Sequence, residues 1–169
     1  MPQPHELSAQ ELLSAYRNKT LSPVEATRSV LDHIERWEPH IHATYALDPE
    51  QALTQARASE ARWMKGEPQA CGGYTLDGVP ATIKENIATR GVPVPLGTAA
   101  TDLTPATADA PPAARMREAG AVVLGKTTMP DYGMLSSGLS SFHELTRNPW
   151  DVTKNPGGSS AGALSLIHI

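Results

Sequence analysis

Leu76-Asp77-Gly78-Val79-Pro80-Ala81-Thr82-Ile83-Lys84 reads as a turn that runs into a buried strand ending on a lysine. Asp-Gly suits the turn, because glycine accepts backbone conformations that a Cβ disfavours. Downstream, residues 107 to 119 read as a helix, with Thr107 or Asp109 as its cap and prolines at 111 and 112. Gly120 ends that helix, and Ala121-Val122-Val123-Leu124 reads as a second short buried strand. Strand, helix and strand in this order point to an α/β layer architecture.

Upstream of this stretch, residues 1–66 read as helices with clear start signals. Ser8 with Glu11 forms a capping box ahead of Leu12, Leu13 and Tyr16. Ser22-Pro23-Val24-Glu25 repeats the logic with proline at the first helical position. Val24, Val30, Leu31, Ile34 and Trp37 mark one apolar face, with Pro39 expected just past the end of that helix. His40 to Leu47 is expected to form a short strand, and Asp48-Pro49-Glu50-Gln51 to open an alanine-rich third helix ending near Lys65-Gly66. These residues carry no chemistry and read as a helical layer.

Composition narrows the function classes. Fourteen basic residues against 18 acidic ones leave −4 in 169 residues, with no long run of either sign, so neither a nucleic-acid nor a membrane surface is expected. Cys71 is the only cysteine, which excludes an intramolecular disulfide and argues against a cysteine-based zinc site. The start, MPQPHELSAQELL, lacks the pattern of a signal peptide, and no segment approaches the ~18 apolar residues of a membrane span. A cytoplasmic protein is the expectation. His40-Ile41-His42 has the alternation of paired metal ligands on a strand, but no third ligand follows at suitable spacing, so no metal is expected.

Three motifs bear on chemistry. Gly120-Ala-Val-Val-Leu-Gly125-Lys126-Thr127 matches the phosphate-loop pattern literally. Its context does not match: a charged helix precedes it, the residues between its glycines are strand-like, and Pro130 falls where a phosphate-binding helix should run. Lys84 is the second motif. A lysine after an apolar strand is usually a solvated end, yet Gly78-Val79-Pro80 before it and Asn86 after it are unusual company. Buried, such a lysine loses charge stabilisation and can act as a base near neutral pH. The third motif is Asn155-Pro156-Gly157-Gly158-Ser159-Ser160-Ala161-Gly162, which reads either as a flexible linker or as a loop bringing hydroxyls and amides close to a ligand.

Taken together, GVPATIKEN, GAVVLGKTTMPDY, RNPWD and NPGGSSAG resemble the amidase signature family, whose stretches read GVPxxIKDN, GAxxxGKTNMxEF, NPWD and PGGSSGG. The resemblance covers roughly residues 5 to 163, in order, with 75 positions between Lys84 and Ser159. It implies the N-terminal part of an α/β amidase fold, a mixed β-sheet covered by α-helices. Within 1–169, residues 1–66 would be outer helices, 72–163 the core with the lysine strand and GGSS loop, and 164–169 an atypical tail, expected from a truncated gene or from read-through of foreign sequence. It implies hydrolysis of a carboxylic amide through an acyl-enzyme, with no cofactor and no metal. Lys84 matches the catalytic lysine, and Ser159 the bridging serine that follows Gly158 in a cis peptide bond. Neutral Lys84 would take a proton from Ser159 as Ser159 takes one from the nucleophile, with Ser160 supporting the network. A small-molecule amide is the expected partner, without direct nucleic-acid or membrane contact, and a homo-oligomer is left open. A rival reading under the same motifs is the glutaminase component of a tRNA-dependent glutamine amidotransferase (its A subunit), which releases ammonia for a partner; another is a non-catalytic fragment.

Departures from the pattern are Glu85 for aspartate, Thr128 for asparagine, Ala161 for glycine, and a loosely matching Ser136–His143 stretch expected near the substrate cleft. The family's nucleophilic serine follows the bridging serine by roughly two dozen residues, in a loop that also supplies oxyanion donors. Ten residues follow Ser159 here, and their one serine beyond Ser160, Ser165, lacks glycine neighbours. The expectation is therefore a chain that holds two of three catalytic groups and is inactive alone.

Overall fold

The structure, a computed structural model, describes residues 2–169. Its elements run α1 (Ala9–Arg17), α2 (Pro23–Ile41), β1 (Thr44–Tyr45), α3 (Pro49–Lys65), β2 (Pro80–Lys84), α4 (Pro111–Glu118), β3 (Val122–Thr127) and α5 (Ala161–Leu166). Short 3-10 turns occur at Pro4–Glu6 and Asp131–Gly133. The fold is mixed α/β, a three-stranded sheet in the order β1-β3-β2 flanked by helices. β1 is antiparallel to β3, with Thr44 opposite Thr127 and Tyr45 opposite Lys126. Flanking bonds from Val122 N–H to Val79 O and from Glu85 N–H to Thr127 O advance in the same direction along both chains, so β2 and β3 are parallel. The helical crossover between them is what a parallel pair requires.

Local chemistry sets most of the helix ends. Ser8 and Glu11 satisfy each other's backbone N–H groups at the start of α1, at 3.3 and 2.8 Å. Ser22 and Glu25 do the same for α2. Asp48 caps α3 through Gln51 N–H, and Gly66 closes it in the left-handed conformation.

Three sequence expectations shift. Pro39 lies inside α2 rather than past its end. In a last turn proline removes a single ladder bond, and Glu38 secures the exit by accepting from Ala43 and Thr44 N–H. The expected His40–Leu47 strand contracts to Thr44–Tyr45, because α2 runs on through His40 and Ile41 and His42 sits in a turn with φ +47°. The two histidines therefore share no strand face. α4 starts at Pro111, not near Thr107, because Asp109 accepts from Arg90 N–H and Ala110 N–H is bound to Ala88 O.

The chain divides into two compact units. The first comprises the described residues up to 34, with 48–81 and 114–124. Its core joins Leu12, Tyr16, Ala26, Trp63 and Val79, with Leu7, Leu13, Leu21 and Leu76 packed on it. Tyr16 hydroxyl donates to Gly78 O in the turn before β2. Gly78 has φ +83°, and a Cβ there would stand 2.6 Å from Ser59 Oγ and 2.7 Å from Pro23 Cγ, so the turn admits only glycine. The second unit comprises residues 35–47, 82–113 and 125–169, with Ile41, Ala43, Ile83, Met129 and Ala161 buried in it. Among the described residues no helix is long and apolar enough to cross a membrane.

Candidate active site

The residues singled out by the motifs lie in the second unit. Lys84 is the last residue of β2, and its Nζ donates to Ser159 Oγ at 2.8 Å. Residues 75 positions apart are thus in direct contact. Burial holds the Lys84 amine below the ordinary lysine value of 10.5, since the charged form loses hydration there. At that separation the pair can pass a proton in either direction.

Ser159 is presented by a loop built for close approach. The Gly158–Ser159 peptide is cis. A Cβ on Gly158 would stand 2.6 and 2.7 Å from Ser137 O and N and 2.8 Å from Leu135 O, so only glycine fits against that segment. The divergent 134–143 stretch therefore abuts the GGSS loop directly. Ser160 opens α5, without a capping bond from its side chain. Gly162 N–H, one residue into the helix, donates to Thr128 O. Thr128 in turn is hydrogen-bonded to Thr146 at 2.7 Å, and Thr146 donates to His42 O. Ser165 is fully buried on α5 and donates to Arg147 O at 2.7 Å, so its hydroxyl is committed to structure.

A second group of titratable residues lies one step along the chain from Lys84. Strand alternation turns Glu85 to the other face, where it is fully buried. Its Oε1 accepts from Gly97 N–H at 2.6 Å, and its Oε2 is bonded to His143 Nε2. An ionised carboxylate can only accept, so with Glu85 ionised the bond takes a proton carried on His143 Nε2. Tyr45 and Phe142 surround the imidazole edge-on, at ring separations of 5.2 and 4.9 Å. Lys126, on β3, is also buried and donates to Ile87 O at 2.8 Å. Burial pushes its amine down to about 8, with the charge of Glu85 acting in the opposite direction. Burial, and to a smaller extent Glu85, likewise raises the Tyr45 hydroxyl.

The lysine of the phosphate-loop match thus lies on a strand. β3 continues through Gly125-Lys126-Thr127, and every one of its six residues is buried. Sequence reasoning passed over Glu85, His143 and Lys126 as a group. The one available signal was adjacency, since an acid directly after a strand-end lysine must face the other way. Among the described residues, no group of three or more His, Cys, Asp or Glu side chains stands close enough to hold a metal ion.

Comparison with known proteins addresses the family and the fold. The Amidase family model matches residues 25–167. In Coxiella burnetii, the A subunit of glutamyl-tRNA(Gln) amidotransferase is 35% identical over 163 residues, which is 96% of this chain and 33% of that protein. Its counterpart in Acidothermus cellulolyticus is 38% identical over 95% of this chain and 31% of its own length. Among solved structures, a bacterial aryl acylamidase of the amidase signature family superposes with a TM-score of 0.81 at 32% identity, covering 95% of this chain and 33% of that one. The peptide amidase of Stenotrophomonas maltophilia gives 0.86 at 27% identity, covering 98% and 35%. The chain spans about a third of the length of the relatives it matches. With the family model covering most of its residues and these folds superposing on nearly all of it, the chain belongs to the amidase signature family.

Proposed function

We propose that this chain supplies the base and the proton bridge of a Ser–cisSer–Lys amide hydrolase, and that the whole protein is the glutamine-hydrolysing component of a tRNA-dependent amidotransferase. The contact between Lys84 Nζ and Ser159 Oγ carries the first part, because it joins a desolvated amine to a hydroxyl with nothing between them. Neutral Lys84 takes the Ser159 proton as Ser159 takes that of the nucleophilic serine, which attacks the amide carbonyl. The tetrahedral intermediate then collapses, and the same relay run backwards delivers a proton to the departing nitrogen. Water repeats the cycle on the acyl-enzyme.

The relatives favour the amidotransferase reading, since the Coxiella and Acidothermus proteins carry that description at 35 and 38% identity. A free amidase is the second reading, favoured by the aryl acylamidase at 32%. Ammonia release from glutamine that depends on a separate tRNA-binding polypeptide supports the first reading, and turnover of simple amides without it supports the second. For the relay itself, Lys84→Met and Ser159→Ala in the full-length polypeptide should each lower kcat by about 10²–10⁴-fold. Turnover at the wild-type level in Lys84→Met would overturn it.

A further inference from the structure

We propose that Glu85 is a positioning residue for Lys84: through its bonds to Gly97 and His143 it anchors the end of β2 and so holds the lysine against Ser159. The inference rests on the assignment of Lys84 as the base. It starts from an asymmetry between neighbours, since Lys84 at the end of β2 reaches Ser159 while Glu85, the next residue, reaches inward.

The backbone around Lys84 is fixed at several points. Glu85 N–H donates to Thr127 O, which seats the strand end on β3. Ile87 N–H donates back to Lys84 O, closing a turn over residues 84–87. Ile87 O is taken by Lys126 Nζ. The Glu85 carboxylate completes the arrangement, with one oxygen on Gly97 N–H and the other on His143. Gly97 is itself held in place, because its carbonyl accepts from Ser140 hydroxyl and Leu96 O accepts from Tyr132 N–H. Asp131 accepts from Ser141 N–H and hydroxyl, closing the 131–141 segment on itself, and Ser141 Oγ accepts from Ala99 N–H, which ties that segment to the same turn region. These bonds converge on the residue next to the base. Among the described residues, they leave the Lys84 amine a single hydrogen-bond partner, Ser159.

Glu85 follows Lys84 directly in sequence, so an electrostatic role and a positioning role have to be told apart. Glu85 serves that lysine only if its mechanical effect outweighs its electrostatic one. A nearby carboxylate raises a lysine's proton affinity, whereas confinement in a desolvated position lowers it. Deleting the charge therefore gives opposite signs for the two roles, and the sign can be read directly.

The experiment uses the 169-residue chain with its five lysines 13C-labelled, titrating each side-chain Cε signal by NMR in wild type and in Glu85→Gln. Positioning predicts that the Lys84 midpoint rises toward 10.5 as the lysine is released to water. Lys126 supplies the internal control, because losing the Glu85 charge should drop its midpoint below about 8. A Lys84 midpoint that falls marks electrostatic coupling alone and overturns the proposal. One that stays put while unfolding stability drops marks a merely structural role and overturns it equally. Should Glu85→Gln not fold, His143→Leu removes one tie and keeps the charge. The Lys84 midpoint should then rise while that of Lys126 does not fall, and an unmoved Lys84 overturns the proposal. No amide turnover enters the measurement, so failure of the hydrolase reading and failure of the positioning role are told apart.

Discussion

Two buried acids occur on either side of the β2 strand in sequence, and their surroundings differ. Asp77, in the first unit, precedes the strand and is fully buried. Its two oxygens take Arg62 Nε and Nη2 at 3.0 and 2.5 Å, and Gln69 N–H at 2.8 Å. Trp63 Nε1 adds a bond to its carbonyl. The hydrogen bond to Asp77 raises the Arg62 guanidinium further above its already high value. Glu85, in the second unit, follows the strand, equally buried, but the amines nearest to it in sequence and space are lysines driven toward neutrality. Forked pairing with a guanidinium gives a region whose protonation is fixed, because arginine cannot release its proton. Desolvated ammonium groups with too little compensating charge give a region where protons can move near neutral pH. The same ingredients, a buried acid and a base, yield scaffold in one place and the proposed site of chemistry in the other.

The largest test breaks the paired region. In Asp77→Asn the amide must turn an NH2 toward at least one of three donors now facing a carboxylate, and the guanidinium loses its counter-charge. Removing one partner of a buried pair costs about 3–5 kcal/mol. Arg62 keeps about a third of its side-chain surface and can recover some hydration, so the lower end, about 3 kcal/mol, is expected. Urea unfolding at neutral pH measures it, and a loss below about 1 kcal/mol would place Asp77 among surface-type pairs.

The next test sharpens the other side. Lys126 titrates at about 8 when folded and at 10.5 when unfolded, so between these values the unfolded chain binds more protons. Stability therefore rises with pH across that interval, as the penalty of burying the ammonium is relieved. Tyr16, whose hydroxyl burial raises well above its usual 10.0, works the other way at higher pH, so the useful window is pH 8 to 10. Across it the wild type should gain on the order of 2 kcal/mol from Lys126. Lys126→Met should remove that part of the slope while retaining the smaller one from Lys84. Equal slopes in the two proteins would mean that Lys126 is hydrated when folded.

Much of the site could be read from sequence because it is carried by local motifs. Lys84 at a strand end and Ser159 after paired glycines stand in blocks whose order implied their meeting, and the structure places them in contact. The capping boxes at Ser8 and Ser22 were equally legible, since each depends on residues three apart. The partnership of Glu85 and His143 spans 58 positions and leaves no periodic trace. The second strand was read only as far as Leu124, whereas β3 runs on through Lys126 to Thr127, where the two neighbouring strands make burial of the lysine tolerable. Pro39 and the start of α4 were misplaced because side-chain bonds outside the helix ladder, from Glu38 to the helix exit and from Asp109 to Arg90 N–H, outweighed the proline and capping signals.

The smallest test asks whether lysine itself, or its surroundings, separates the two regions. Arg62→Lys leaves a positive charge beside Asp77 but replaces a planar fork by a point charge, which cannot satisfy both carboxylate oxygens with the same geometry. One charge-assisted bond is lost and the attraction is kept, so unfolding stability should fall by about 1 kcal/mol. Position 62 retains solvent contact, with about a third of its side chain exposed, and it faces a carboxylate rather than apolar surface. Both features favour the protonated amine. The new side chain should therefore titrate at or above the ordinary lysine value, in contrast to Lys84 and Lys126, which titrate below it. NMR titration of the added lysine signal reads this directly. A midpoint lowered as at position 126 would show that the chain's interior depresses any lysine it holds, and the distinction between a paired scaffold and a desolvated site would fall with it.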